Sequence, residues 1–338
     1  MNAFQPPTAA LLDLISSHRI TAAILVATKL GVADALSGGA KTCAALAAIC
    51  EAHEPSLHRL LSALVTIGIC REVEHDRFEL TALGASLAAN ADPSLKAWAI
   101  FEGETLWKSW GGLIDSIRTG KTRAELAGGG DSFQAMALDP AAVDMFNAAM
   151  VSFTRLVARD VLTNYDFTGA ECIMDVGGGS GELLVRILKA YPTINGIVLD
   201  LAQCEPGAHA LAAEVGVESR SSFVVGDFFR EVPTGADMII LKSIVHDWDD
   251  ARSTILLSNC RRALSKAGRL LVIERSVSTE PGISAVDRAN ALSDLNMLRG
   301  PGGRERTEHE YRELLAAAGF AISRVLPAGR YCVIEAKP

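Results

Sequence analysis

The feature that most constrains the fold is a change of pattern at Cys172. Beyond it the chain alternates short apolar runs with amphipathic ones. The strand-like runs are Cys172–Val176, Gly196–Asp200, Ser222–Val225, Asp237–Lys242, Arg269–Glu274, Ala321–Pro327 and Tyr331–Ala336, and helical runs are read as separating the first five. Continuous apolar strands joined by amphipathic helices indicate a parallel sheet covered on both faces. The expectation is an α/β fold with a doubly wound, mostly parallel sheet, whose ligand lies at the carboxyl ends of the strands.

The first hundred residues follow a different rule. Leu11–Ile15 and Ile20–Leu36 carry apolar residues at three- and four-residue spacing, as helices do. Thr42 is placed to cap a short helix through Ile49, and Ser56 another that starts at Leu57 and ends at Gly68. Ile69–Glu74 and Arg77–Thr81 flank the turn-like pair His75-Asp76, which reads as a hairpin. Helices followed by a hairpin make the order of a winged helix.

That order invites a DNA-binding reading, and charge opposes it. Residues 1–100 hold seven basic and nine acidic side chains, and the whole chain has a formal charge of -8. Phosphate binding needs clustered positive charge. The segment reads instead as a module for self-association and for covering a substrate pocket. Ile20–Leu36 is apolar on more than one face and predicts burial against a second copy, hence a homodimer. Residues 101–165 read as helical again, with Trp98, Trp107 and Trp110 nearby and a loop at Ala127–Asp131. Phe146 and Met150 lie four apart on one helical face, as core residues or as the lining of an aromatic pocket. The expected division is therefore 1–100, 101–165 and 166–338.

Seven cysteines form no C-x-x-C pair, so they read as thiols of a reducing compartment rather than a disulfide framework or a zinc site. The best apolar stretch, Ile20–Thr28, stops at Lys29, about half the length a membrane helix needs, and Arg19 is the one basic residue before it. These features point to the cytoplasm, with no membrane or nucleic-acid partner.

Chemistry concentrates after the strands. Asp175-Val176-Gly177-Gly178-Gly179-Ser180-Gly181-Glu182 follows the first strand and opens a helix. Such a turn brings backbone close to a ligand, and the helix start offers free N–H groups. The G-x-G-x-x-G spacing of dinucleotide folds fails, because the last position, counted from Gly177, is Glu182. Asp175 just before the loop suits a ligand with a cationic amine better than a pyrophosphate. Asp200 ends the second strand, either as a ribose acceptor or as an ordinary loop-starting residue. Asp227-Phe228 follows the third, as an adenine acceptor with a stacking ring or as a plain turn. Lys242–Asp250 follows the fourth and holds His246; Glu274 ends the fifth. A histidine beside a carboxylate is a general-base arrangement. Asp247, Asp249 and Asp250 are metal-ligand candidates, with Asp249 or Asp250 favoured as the cap of a helix from Ala251 to Leu264. Glu305 is either a second carboxylate for His246 or part of a solvated charge cluster ahead of a Thr307–Glu310 capping box.

With these residues in place, the chain resembles the caffeic-acid-type O-methyltransferases and their bacterial relatives. The resemblance spans essentially the whole chain. It is carried by DVGGGSGELL (Asp175–Leu184), GDFF (Gly226–Phe229), LKSIVHDWDD (Leu241–Asp250), VIER (Val272–Arg275) and DLNMLRGPGGRERT (Asp294–Thr307). It implies a Rossmann-like class I methyltransferase domain with a seven-stranded sheet, behind an N-terminal winged-helix dimerisation domain. It implies S-adenosylmethionine as methyl donor, contacted by Asp175, Gly177, Gly179, Asp200, Asp227, Phe228 and Lys242. His246 would be the catalytic base, flanked by Glu274 and Glu305, with Phe146, Met150, Trp107, Asn296 and Met297 as substrate neighbours and no metal. In the mechanism expected, a carboxylate holds Nδ1–H of His246 while Nε2 removes a phenolic proton. N- or C-methylation, a nicotinamide oxidoreductase, and a regulator on an inactive methyltransferase fold are the competing readings.

Overall fold

The structure, a computed structural model, describes residues 6–130, 132–136 and 138–338. Asp131, at the end of the expected glycine loop, lies outside them. The chain forms two compact units. One runs to Gly111 and takes in Asp144–Phe153; the other comprises Gly112–Val143 and Thr154–Pro338.

In the first unit, α1 (Pro7–Ser16), α2 (His18–Lys29) and the short helix Val32–Leu36 precede helices Cys43–Ile49 and Glu54–Thr66. Strands β1 (Lys41–Thr42), β2 (Cys70–Glu74) and β3 (Arg77–Leu80) make a small antiparallel sheet in the order β1-β3-β2. Thr42 caps its helix as expected, its hydroxyl accepting from the Ala45 amide at 3.3 Å. Ser56 caps nothing. The helix starts three residues before Leu57, at Glu54, because Pro55 suits a first helical turn, where its missing N–H costs nothing. Ile20–Leu36 is not one helix either: Gly31 takes φ +69° and breaks it. Within the single chain α2 buries only Ala27 and Thr28. Leu11, Leu12, Leu14 and Ile15 of α1 are more than half exposed.

Among the described residues two helical stretches have the length and apolar character of a membrane span, against the expectation of none. They are Pro7–Lys29, with none of its apolar window buried, and Pro140–Asn164. The first reaches that length because Ser17 stays in the right-handed helical region and joins α1 to α2.

The second unit holds the large sheet. Its strands are β4 (Cys172–Val176), β5 (Asn195–Asp200), β6 (Ser221–Val225), β7 (Met238–Lys242), β8 (Arg269–Glu274), β9 (Ala321–Ala328) and β10 (Tyr331–Lys337), in the order β6-β5-β4-β7-β8-β10-β9. β4 to β8 run parallel, and β10 lies antiparallel to both β8 and β9. Met238, Ile239, Ile240 and Leu241 are all buried, as a strand covered on both faces requires. One crossover departs from expectation: residues 226–237, between β6 and β7, contain turns but no helix. Chain order reverses between β4 and β7, so the loops after these strands meet at a topological switch point, where open α/β sheets bind ligands. All seven cysteines are free thiols.

Candidate active site

The loop after β4 is shaped by steric need. Gly177 has φ +71°, which strains any residue with a side chain, and a Cβ there would also meet Cδ1 of Ile244 at 2.5 Å and force it to move. Gly179 donates its N–H to Oδ2 of Asp200 at 2.7 Å, while its α-carbon faces open space. Leu201 N–H donates to the other oxygen of Asp200, also at 2.7 Å. Asp175 lies beneath the loop, 3% exposed, and burial lifts its carboxyl to about 7 despite Lys242. Asp227 is exposed and closes its own turn, accepting from Phe229 N–H at 2.9 Å. Phe228 packs edge-on against Phe229 and Trp248. Lys242 donates to Thr154 Oγ1 at 2.9 Å; burial pulls its ammonium down, while Asp175, Glu274 and Asp247 work against that.

The donor set fits S-adenosylmethionine. Around the loop stand two buried or nearly buried carboxylates, a tight glycine turn with an open face, and an aromatic ring. Acidic groups under the turn favour a cationic ligand with hydroxyls over a pyrophosphate.

The second half of the site follows β7. Ser243 takes φ +56°, rare for a residue with a side chain, and the backbone then curls into a short 3-10 turn, Val245–Asp247. Glu274, at the end of the neighbouring β8, is fully buried, and its Oε1 accepts the backbone N–H groups of Ile244, Val245 and His246 at 2.9, 2.8 and 3.3 Å. His246 Nδ1 then stands 3.3 Å from Glu274 Oε2 and 3.3 Å from Glu305 Oε1. Nε2 is 3.6 Å from Asp247 Oδ1. Glu305 accepts from Ser293 Oγ at 2.6 Å and has Arg275 Nε at 3.8 Å. It belongs to no solvated cluster, being 4% exposed. The donor atoms of His246, Glu274 and Glu305 lie within 4.8 Å of one another, a spacing a metal ion could also use.

Burial and mutual charge shift every member of this cluster. Burial alone would push the imidazole down, but Glu274, Glu305 and Asp247 overcome it and lift His246 to about 10. Burial also lifts Asp247, to about 7, and raises Glu274. Glu305 resists its burial, because His246 and Ser293 hold its carboxyl below the usual range. His246 Nδ1, Glu274 Oε2 and Glu305 Oε2 find no aligned hydrogen bond among the described residues.

The expected substrate neighbours divide between the units. Trp107, Phe146 and Met150 belong to the first, where Phe146 meets Phe101 edge-on at 5.8 Å and Trp107 is 39% exposed. Asn296 and Met297 belong to the second, on the helix Ala285–Arg299, with Met297 buried and Asn296 accepting from Arg299. Asp249 is the helix cap, accepting from Arg252 N–H at 2.8 Å, and the Thr307–Glu310 capping box forms. Sequence reasoning passed over Arg306, which is completely buried against the His246 turn. In the run Arg304-Glu305-Arg306 nothing local separates a buried arginine from a solvated one.

The doubly wound sheet with its acidic-flanked glycine turn defines a methyltransferase fold dependent on S-adenosylmethionine, and the comparisons make the assignment specific. Residues 110–321 match the O-methyltransferase domain model, and residues 12–90 match the O-methyltransferase dimerisation domain. The chain belongs to this O-methyltransferase family. It is 38% identical to phenazine O-methyltransferase of Lysobacter antibioticus over 98% of this chain and 97% of that one. It is 32% identical to phenazine-1-carboxylate N-methyltransferase of Pseudomonas aeruginosa, over 97% and 96%. Among solved structures it resembles an O-methyltransferase from neocarzinostatin biosynthesis, in complex with S-adenosylmethionine and 2-hydroxy-5-methyl naphthoic acid. The TM-score is 0.76, with 31% identity over 99% of each chain. The protein is an S-adenosylmethionine-dependent methyltransferase.

Proposed function

We propose that this enzyme methylates a phenolic hydroxyl on a small, flat aromatic or polyketide-like metabolite, with His246 as the general base. S-adenosylmethionine, when bound, supplies a methyl group already activated on a sulfonium, so the chain's task is to position the acceptor and take its proton. Asp175, Gly177, Gly179, Asp200, Asp227, Phe228 and Lys242 hold the donor. Glu274 and Glu305 hold the imidazole; Asn296 and Met297 are the acceptor's neighbours. In this reading residues 1–100 carry homodimerisation, 101–165 the pocket segment and 166–338 the chemistry, in a cytoplasmic enzyme that needs no metal.

The observation that carries the reading is the imidazole flanked at 3.3 Å by two buried carboxylates, beside the glycine turn. A phenol has a pKa of ~10, so its proton passes to an imidazole near 10 with little free-energy change. Near neutral pH the resting imidazole is protonated, and the reactive complex holds one proton fewer. That proton sits on the imidazole beside a phenolate or on the phenol beside a neutral imidazole. His246→Ala should lower kcat by about 10²–10⁴-fold, with calorimetric affinity for S-adenosylhomocysteine unchanged. Wild-type turnover in this variant across pH would remove His246 as the base. Activity lost to a chelator and restored by magnesium would overturn the metal-free mechanism.

Transfer to nitrogen is the second reading, favoured by the similarity to an N-methyltransferase over nearly the whole chain. Mass spectrometry of products from matched hydroxy- and amino-acceptors decides between them, because the His246 base is needed for the hydroxyl.

A further inference from the structure

We infer that Arg306, together with Gly303, is the positioning element that fixes the height and tilt of the His246 turn, a role that rests on His246 being the base. The turn is gripped from two sides. Glu274 takes its amide N–H groups, as described above. Its carbonyls are taken by Arg306, whose Nη1 donates to Val245 O at 2.9 Å and whose Nη2 donates to Trp248 O at 2.8 Å. These are the residues immediately before His246 and two after it. The guanidinium is itself anchored, since Nε and Nη2 both donate to Asp250 Oδ1, at 3.1 and 2.8 Å.

The backbone of Arg306 is fixed as well. Its carbonyl accepts from Val277 N–H at 3.1 Å, and Ser276 bridges to it beside the end of β8. The neighbouring residue, Glu305, supplies the second carboxylate at Nδ1. One segment thus delivers a charge to the imidazole and a clamp to the backbone that carries it. Gly303 completes the fit, because a Cβ there would stand 2.0 Å from His246 O and 2.5 Å from Trp248 N. The segment lies against the catalytic turn with no room for a side chain.

Arginine suits this task and lysine does not. A planar fork with five donors reaches two carbonyls and a carboxylate at once, whereas an ammonium is a point charge. Misplacement of a reacting group by about 1 Å can cost on the order of 10²-fold in rate. If the turn slips, His246 also leaves the space between Glu274 and Glu305, and its pKa drops toward the ordinary range.

The test uses the full-length enzyme, with Arg306→Lys and Gly303→Ala as variants and Asp250→Asn as a milder control. Three measurements are made: kcat against pH, KM for the acceptor, and calorimetric affinity for S-adenosylhomocysteine. Arg306→Lys should lower kcat by about 10–100-fold, move the pH limb to lower pH, and leave the affinity within about twofold. Gly303→Ala should give the same signature, while Asp250→Asn, which spares both carbonyl bonds, should stay within about threefold. A wild-type kcat and pH profile in Arg306→Lys overturns the inference. So does a loss of kcat and affinity in step with melting temperature, since that marks a purely structural arginine. If Arg306→Lys does not fold, Gly303→Ala decides alone by the same criteria. Failure of the base assignment is separate: it shows as full activity in His246→Ala, whatever Arg306→Lys does.

Discussion

Two buried charge clusters in the sheet unit are built to opposite standards. Glu335, in the middle of β10, is 5% exposed and fully served. Its carboxylate accepts from Tyr165 OH at 2.5 Å, Ser323 Oγ at 2.7 Å and Arg324 Nη2 at 2.8 Å. Burial works against its ionisation, but these donors and the guanidinium hold the carboxyl at about 2. At the carboxyl edge of the same sheet, His246, Glu274 and Glu305 are just as buried, yet they face one another at 3.3 Å, and His246 Nδ1, Glu274 Oε2 and Glu305 Oε2 make no aligned hydrogen bond among the described residues. A satisfied buried charge has one protonation state over the working pH range and braces the fold. Two carboxylates facing one imidazole share their protons as a coupled set, which suits a group that must take up and release a proton. The contrast separates structural from chemical burial without reference to any ligand.

The sharpest way to break that contrast is to remove charge from the unsatisfied cluster. In Glu305→Gln the imidazole loses one of the carboxylates that raise it, so the apparent pKa of the kcat profile should fall by about 1–3 units. Turnover should fall by on the order of tenfold or more, less than in His246→Ala. In the wild type, kcat should climb with pH above neutrality, because the reactive complex has one proton fewer than the resting one. The linkage to stability has the opposite sign. His246 is raised in the folded state, so its contribution is whole below 6.5, its ordinary value, and is lost as pH rises through about 10. Activity should therefore rise over the interval in which thermal unfolding temperature falls. A flat kcat profile, or a profile unchanged in Glu305→Gln, would refute this account of the cluster.

Much of this site was legible in the sequence, for a physical reason. The glycine turn, Asp200, His246 and Glu274 all sit at strand ends, and strand ends in a parallel sheet converge wherever the loops go. Glu305 was half legible: its residue type fitted, but its burial came from the packing of residues 300–306 against the His246 turn, which has no local signature. Arg306 was hidden for the same reason. The limits in the first unit were different. Gly31 in a left-handed conformation and Pro55 in a first turn are local signals; the first was outweighed by an apolar periodicity that runs straight past it, the second by the capping preference of Ser56. The helix read between β6 and β7 failed because an apolar strand pattern on either side does not reveal what joins it.

The satisfied cluster should respond in stability and not in rate. Glu335→Gln keeps the shape and removes the charge, leaving Arg324 without its carboxylate. The expected cost is about 1–3 kcal/mol, read by denaturant unfolding at pH 7, with kcat within about twofold. The sign is again fixed by the direction of the shift. The carboxyl of Glu335 is lowered, so its contribution is present above 4.5, the ordinary value, and is lost as pH falls toward about 2. The wild type should lose more stability than Glu335→Gln between pH 5 and 3. Equal acid sensitivity would mean that Glu335 is not the group the fold depends on.

The smallest effect tests whether that cluster is redundant. Tyr165→Phe removes one neutral donor and keeps the ring that packs edge-on against Phe167 at 4.8 Å, with the Arg324 guanidinium 4.9 Å from its centre. Ser323 and Arg324 still serve the carboxylate, so no buried charge is orphaned. The loss should be about 0.5–1.5 kcal/mol, well below that of Glu335→Gln, and kcat should not move. A cost equal to that of Glu335→Gln would show that the phenol is the essential donor. The difference between the clusters would then lie in one short hydrogen bond rather than in the number of partners.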